Sequence, residues 1–136
     1  MHKASRVPCA AMTGVHTLRD ALVALHKELL GAQRIQAERI GGRMSASEAM
    51  QAAADDLRFS WLRNVSELIA ELDARLAADE PGETPALVER ARRLFAPPDP
   101  ATPFGARYLR ALQDHPEVVL AHRDVVAALD RLETAR

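Results

Sequence analysis

His26 and His122 are the side chains with the most chemistry available near neutral pH. An imidazole can move a proton, share a hydrogen bond or bind a metal. His122 interrupts the apolar series Val118, Val125, Leu129, Leu132, and His26 stands beside Leu22, Leu25 and Leu29. If the helices carrying them meet, the two rings converge. Glu67 and Glu71, one helical turn apart, would then complete a nitrogen and oxygen ligand set for zinc or iron. Against this, no segment carries the Glu-x-x-His pattern of di-iron bundles. No HExxH is present either. The plainer reading is a pair of structural histidines whose ring atoms find partners within the fold.

A second group surrounds the only tryptophan. Arg58 and Arg63 flank Trp61, and a planar ring with guanidinium groups nearby suits a phosphate-bearing or aromatic ligand. Tyr108 could join them through its hydroxyl. The plainer reading makes Trp61 a core anchor and sends the arginines to solvent. Glu67, Glu71 and Asp73 could act as a general acid or base. However, Glu71 precedes Arg75 by four, the order of a solvated helical ion pair. Arg90, Arg92, Arg93, Arg107 and Arg110 make a short basic cluster. It lacks interleaved aromatics and a recognition-helix signature, so it gives no basis for a nucleic-acid partner. Gly41–Gly42 is not a phosphate loop, since no strand precedes it and no Gly-Lys-Ser/Thr follows. Cys9 is the only cysteine, which rules out an internal disulfide and fits a reducing compartment.

The elements that must position these residues are all helical. In the stretch from Asp55 to Ala77, Leu57, Trp61, Val65, Leu68, Leu72 and Leu76 recur every three or four residues. Leu62 and Ile69 widen this stripe. A first helix follows the series Val15, Leu18, Leu22, Leu25, Leu29, Ala32, with Thr13 as its cap and Gly41–Gly42 as its end. Polar Gln36 stands where the next apolar residue is expected. Ser45 and Glu48 form a capping box, so a second helix starts there and runs to about Ala78. Asp55–Asp56 is the one point where a new cap would break it. Thr84–Pro85 starts a short helix that ends before Pro97. Thr102–Pro103 starts another, carrying Phe104, Tyr108, Leu109 and Leu112. Asp114 and Glu117 read as the capping pair of a last helix reaching Leu132.

The expected fold is therefore all-α. It is a helical bundle built on a long antiparallel helix hairpin, plus two short helices and a C-terminal helix, with residues 1–12 as a flexible N-terminal tail and residues 13–136 as one domain. Apolar residues make up 48 % of the chain but aromatics only 4 %, so the core depends on aliphatic side chains and close helix approach. The formal charge of -1 gives no global attraction to nucleic acid or an anionic membrane. The charge is unevenly spread: residues 1–43 hold seven Lys/Arg against three Asp/Glu, and residues 44–80 hold three against eight. No apolar run is long enough for a membrane span.

Three segments resemble a family of small bacterial all-helical proteins of unknown function. They are LHKELLGAQR (Leu25 to Arg34), DDLRFSWLRNVSELIAELD (Asp55 to Asp73) and FGARYLRALQDHPEVVLAH (Phe104 to His122). The likeness implies a bacterial, cytoplasmic protein. It brings no catalytic residue, because that family has no assigned activity. The leading functional expectation is a non-enzymatic helical protein that forms a homodimer and binds a partner protein, with Leu30, Leu62 and Ile69 as the interface. The alternative is a small-molecule or metal-binding bundle using His26, His122 and Glu67 or Glu71. No cofactor is called for.

Overall fold

The computed structural model describes residues 9–42, 45–48, 60–78 and 84–134, and among them every regular element is helical. Helix α1 covers Cys9–Gly41. A 3-10 turn, Ser60–Leu62, leads into α2, Arg63–Ala78. Helices α3 (Thr84–Phe95), α4 (Pro103–Asp114) and α5 (Pro116–Thr134) follow. The all-α expectation holds. No helix among the described residues is long and apolar enough to cross a membrane.

Helix α1 has 33 residues and extends about 50 Å. Its expected stripe is its buried face: Val15, Leu18, Leu22, Leu25, Leu29 and Ala32 are all buried. Gly42 ends it at φ 91° and donates its N–H to the Glu38 carbonyl at 2.9 Å. That conformation strains any residue with a Cβ. The start differs from expectation. Thr13 is not the cap but lies inside the helix, and its carbonyl accepts from the Thr17 hydroxyl at 3.0 Å. Ala10, Ala11 and Met12 are good helix formers, so nothing stops the helix from starting earlier. Residues 9–12 of the expected tail therefore belong to α1, and residues 1–8 lie outside the described residues.

The long second helix is described only at its ends. The Ser45–Glu48 box forms as expected, with Ser45 N–H to Glu48 Oε1 at 2.8 Å and Glu48 N–H to Ser45 Oγ at 3.0 Å. These bonds hold the Glu48 carboxyl below the usual range. The expected break at Asp55–Asp56 lies outside the described residues. Beyond it, Trp61, Leu62, Val65, Leu68 and Leu72 are buried as the stripe requires.

Helix α1 runs antiparallel to both α2 and α5. Toward α2, Arg19 pairs with Asp73 at 2.6 Å, and Trp61 Nε1 donates to Gln33 Oε1 at 3.1 Å. Toward α5, a Cβ placed on Gly14 would lie 2.7 Å from Leu132 Cδ2. At the other end, Ala32 and Gln33 line the same cleft as His115, just before α5. Among the described residues, the most extensive packing of α1 is with α5. The expected hairpin is seen over α2, and residues 49–59 of its second helix lie outside the described residues. Small buried residues on α5, Ala121 and Ala128, let its backbone come close to α1.

Helices α4 and α5 share one connecting residue. His115 is extended, donates to the Ala111 carbonyl at 3.0 Å, and accepts from Val118 N–H at 3.0 Å. The expected Asp114–Glu117 capping pair therefore does not form: Asp114 is the last residue of α4, and the turn leaves no room for a separate cap. Thr102 does cap α4, accepting the Gly105 N–H at 2.9 Å.

A chain of rings closes the core between the Ser60–Leu62 turn, α3, α4 and α5. Phe104 lies 5.7 Å from Trp61, 5.8 Å from Phe95 and 5.5 Å from Tyr108, centroid to centroid. Tyr108 continues the chain to His122. These distances are those of favourable aromatic pairs.

Of the residues expected at an interface, Leu62 is closed inside the chain, while Leu30 and Ile69 stay partly open. Leu62 is 1 % exposed, and Leu30 and Ile69 pack partly buried against the same core. Among the described residues, the most exposed large apolar side chain is Leu120, at 59 %.

Candidate functional site

A cleft of about 300 Å³, open to solvent, lies between α1, the Ser60–Leu62 turn and α4. Gln33 and Gln36 come from α1, Trp61 from the turn, Arg107, Arg110 and Asp114 from α4, and His115 from the following bend. Helical geometry explains the grouping. Arg107 and Arg110 are one turn apart on one side of α4, and Gln33 and Gln36 are one turn apart on α1. The apolar stripe of α1 gives way at Gln36, which is exposed although the next residue, Ala37, is buried.

The described arginines divide into those with a carboxylate partner and those without, Arg39 and Arg123 on other faces belonging to the second group. Arg19, Arg34, Arg90, Arg92 and Arg93 are all held in ion pairs. Arg107 and Arg110 are exposed and make no ion pair among the described residues. Among the described residues, Asp114 is the one carboxylate on the rim. The basic cluster expected from the sequence is therefore split. On α3, Arg90 is neutralised by Glu71 and both Arg92 and Arg93 by Glu89, while Arg107 and Arg110 face the cleft.

Of the residues expected around a ligand, only Trp61 lines this cleft. Tyr108 is fully buried and turned into the core. Arg63 is exposed on α2 and already engaged, and Arg58 lies outside the described residues. Gln33, Gln36 and His115 were not singled out in the sequence. The one signal for them was polar Gln36 in the apolar series.

The four candidate metal ligands point in different directions. His26 lies seven residues from both Arg19 and Gln33, which bond to Asp73 and Trp61, so it shares the α2-facing side of α1. His122 faces α4 through Tyr108. Glu71 is turned to α3 by Arg90, and Glu67 is exposed. Among the described residues no group of three or more His, Cys, Asp or Glu is placed to hold a metal ion. The ligand set expected from the sequence does not assemble.

His122 has a defined partner. Its Nδ1 lies 2.6 Å from the Tyr108 hydroxyl. Burial pushes the Tyr108 phenol up, so it stays protonated and donates. Burial pushes the His122 imidazole down, as it does His26. In the tautomer protonated at Nε2, the neutral ring accepts this bond at Nδ1.

Both folded values lie below the unfolded one near 6.5. Below that pH the unfolded chain binds more protons than the folded chain. The stabilisation is complete above about pH 6.5 and is lost as pH falls through the depressed values. Thermal melts should show a lower Tm at pH 5.5 than at pH 7.5. His122→Asn offers an Oδ1 acceptor to Tyr108 without titrating, so it should reduce this dependence and leave the part due to His26. An unchanged pH profile would count against His122 as a source.

Comparison of the chain with family models, with curated proteins and with solved structures finds no match in any of the three.

Proposed function

We propose that this chain is a non-enzymatic binding protein that takes an anionic group into the cleft between α1, the Ser60–Leu62 turn and α4. The observation that carries this reading is the arginine couple Arg107 and Arg110, which has no ion pair among the described residues, on the wall of a concave surface. A guanidinium presents a planar fork of donors that fits a carboxylate or phosphate with two hydrogen bonds. Two such groups one turn apart on one wall of a cleft, without acids among the described residues, provide a place for an acid from outside. A bacterial, cytoplasmic setting belongs with this proposal.

Trp61 makes the test direct. It is the only tryptophan, and its indole N–H is bonded to Gln33 at the cleft. Titration with phenyl phosphate should produce a saturable change in its emission. The double variant Arg107→Ala/Arg110→Ala should weaken the apparent affinity by about tenfold or more, the worth of one charge-assisted hydrogen bond. Its Tm should stay close to the parent value, since both side chains are exposed. Added salt should weaken binding as well. Emission that ignores the anion, or ignores the two substitutions, removes the reading.

A second reading retains self-association as a homodimer. It rests on Leu120, which stands in solvent on the outer face of α5 beside Ala127. Light scattering across a concentration series should then give a dimer mass that Leu120→Glu returns to the monomer mass.

A further inference from the structure

We infer that the occupant of the cleft is an acidic peptide segment of a partner protein, held by alternating carboxylates on Arg107 and Arg110. The inference rests on the reading of the cleft as an anion site and narrows it.

The first argument concerns the tryptophan. Trp61 is only 8 % exposed, its N–H is taken by Gln33, and Phe104 packs 5.7 Å from its ring. Little of its ring is left open to the cleft. A nucleobase or aryl group finds little open ring on which to stack, so the cleft rewards a planar ligand weakly.

The second argument is shape. Pockets that enclose small ligands start near 300 Å³ and bury most of the ligand surface. This cleft is at that lower limit and open to solvent. A small molecule would keep much of its surface in water. An extended chain that enters, crosses and leaves loses nothing by that openness.

The third argument is the set of groups. Arg107 and Arg110 rise about 4.5 Å apart along α4. Side chains on one face of an extended peptide recur about every 6.7 Å. Two long, flexible arginine stems span that difference, so a Glu-x-Glu pattern meets both guanidinium groups. Gln36 is exposed and makes no hydrogen bond among the described residues, so its amide can both donate to and accept from a peptide backbone. Asp114 repels a compact, multiply charged phosphate at the same rim. It can still accept a backbone N–H of a peptide whose carboxylates sit further along.

The test uses the full chain labelled with nitrogen-15. Three probes are titrated at equal concentrations: an acetylated, amidated peptide with a Glu-x-Glu pattern, its Gln-x-Gln counterpart, and phenyl phosphate. The signals to follow are the Trp61 indole, the Arg107 and Arg110 Nε groups, and the Gln33 and Gln36 amides. The expected result is a saturable shift of these signals by the Glu-x-Glu peptide, at least fivefold tighter than for either other probe. Arg107→Ala/Arg110→Ala should abolish that preference. Phenyl phosphate binding more tightly than the peptide would overturn the inference and leave the anion site standing. Peptide shifts that survive the arginine substitutions would also overturn it. Failure of all three probes would overturn both readings.

Discussion

Gly105→Ala should lower the Tm by about 10 °C, the largest effect expected for any single added methyl group. Gly105 is buried near the start of α4. A Cβ there would lie 1.8 Å from the Asp99 carbonyl oxygen and 2.8 Å from Thr102 Oγ1. These atoms cannot simply turn aside. The Asp99 carbonyl accepts from Thr102 N–H at 3.1 Å and from the Thr102 hydroxyl at 2.9 Å, and that hydroxyl caps α4. Relieving the clash means moving the connector and breaking the cap, at a cost of about 3 kcal/mol. Gly31→Ala provides the opposite sign on the same scale. Nothing lies within 4 Å of its Cβ position, and alanine is the better helix former, by about 0.5–1 kcal/mol. Circular dichroism melts of the two variants beside the parent decide the matter. A Gly105→Ala melt within about 2 °C of the parent would show that the connector yields more easily than its hydrogen bonds imply.

Phe104→Ala should destabilise the fold by about 3–5 kcal/mol and expose Trp61. Phe104 is the ring that joins Trp61 to Phe95 and Tyr108, and it is 6 % exposed. Its removal leaves a void bounded by three other rings that cannot all move into it. Most of the chain's aromatic area is concentrated here, and the rest of the core is aliphatic. Urea unfolding followed by Trp61 emission should show a lower midpoint with a similar slope. The native emission should also shift to the red. Phe104→Leu should recover most of the loss, because it refills volume without restoring ring geometry. A native spectrum unchanged in Phe104→Ala would separate Trp61 from the cluster.

Where side chains act through their own helix, the sequence was readable. The α1 stripe from Val15 to Ala32 is the buried face, because a period near 3.6 leaves one side for the core. The Ser45–Glu48 box and the Thr102 cap follow from donors that a helix start leaves without partners. The stop at Gly42 follows from glycine's tolerance of positive φ. These are interactions over three or four residues, and they are written in order along the chain.

Which helix packs against which is decided by other means. Leu30, Leu62 and Ile69 looked like surplus apolar surface, yet Leu62 is buried and the other two lean on the same core. Nothing in the local pattern states that α1 packs extensively on α5, because that packing depends on how closely two backbones can approach. Ala121 and Ala128 make that approach possible and look unremarkable in isolation. The candidate site has the same origin. Gln33, Trp61, Arg107 and His115 are scattered along the chain, and only the arrangement of α1, the Ser60–Leu62 turn and α4 gathers them. The sequence by itself determined that the chain is helical, which face of α1 is buried, and where α1 ends and α4 begins. Tertiary structure alone decided that the His26, His122, Glu67 and Glu71 set would not assemble and that two arginines, with no ion pair among the described residues, would stand over a cleft. Helix formation is a short-range property of neighbouring residues. A site is a long-range coincidence, fixed only when the helices pack.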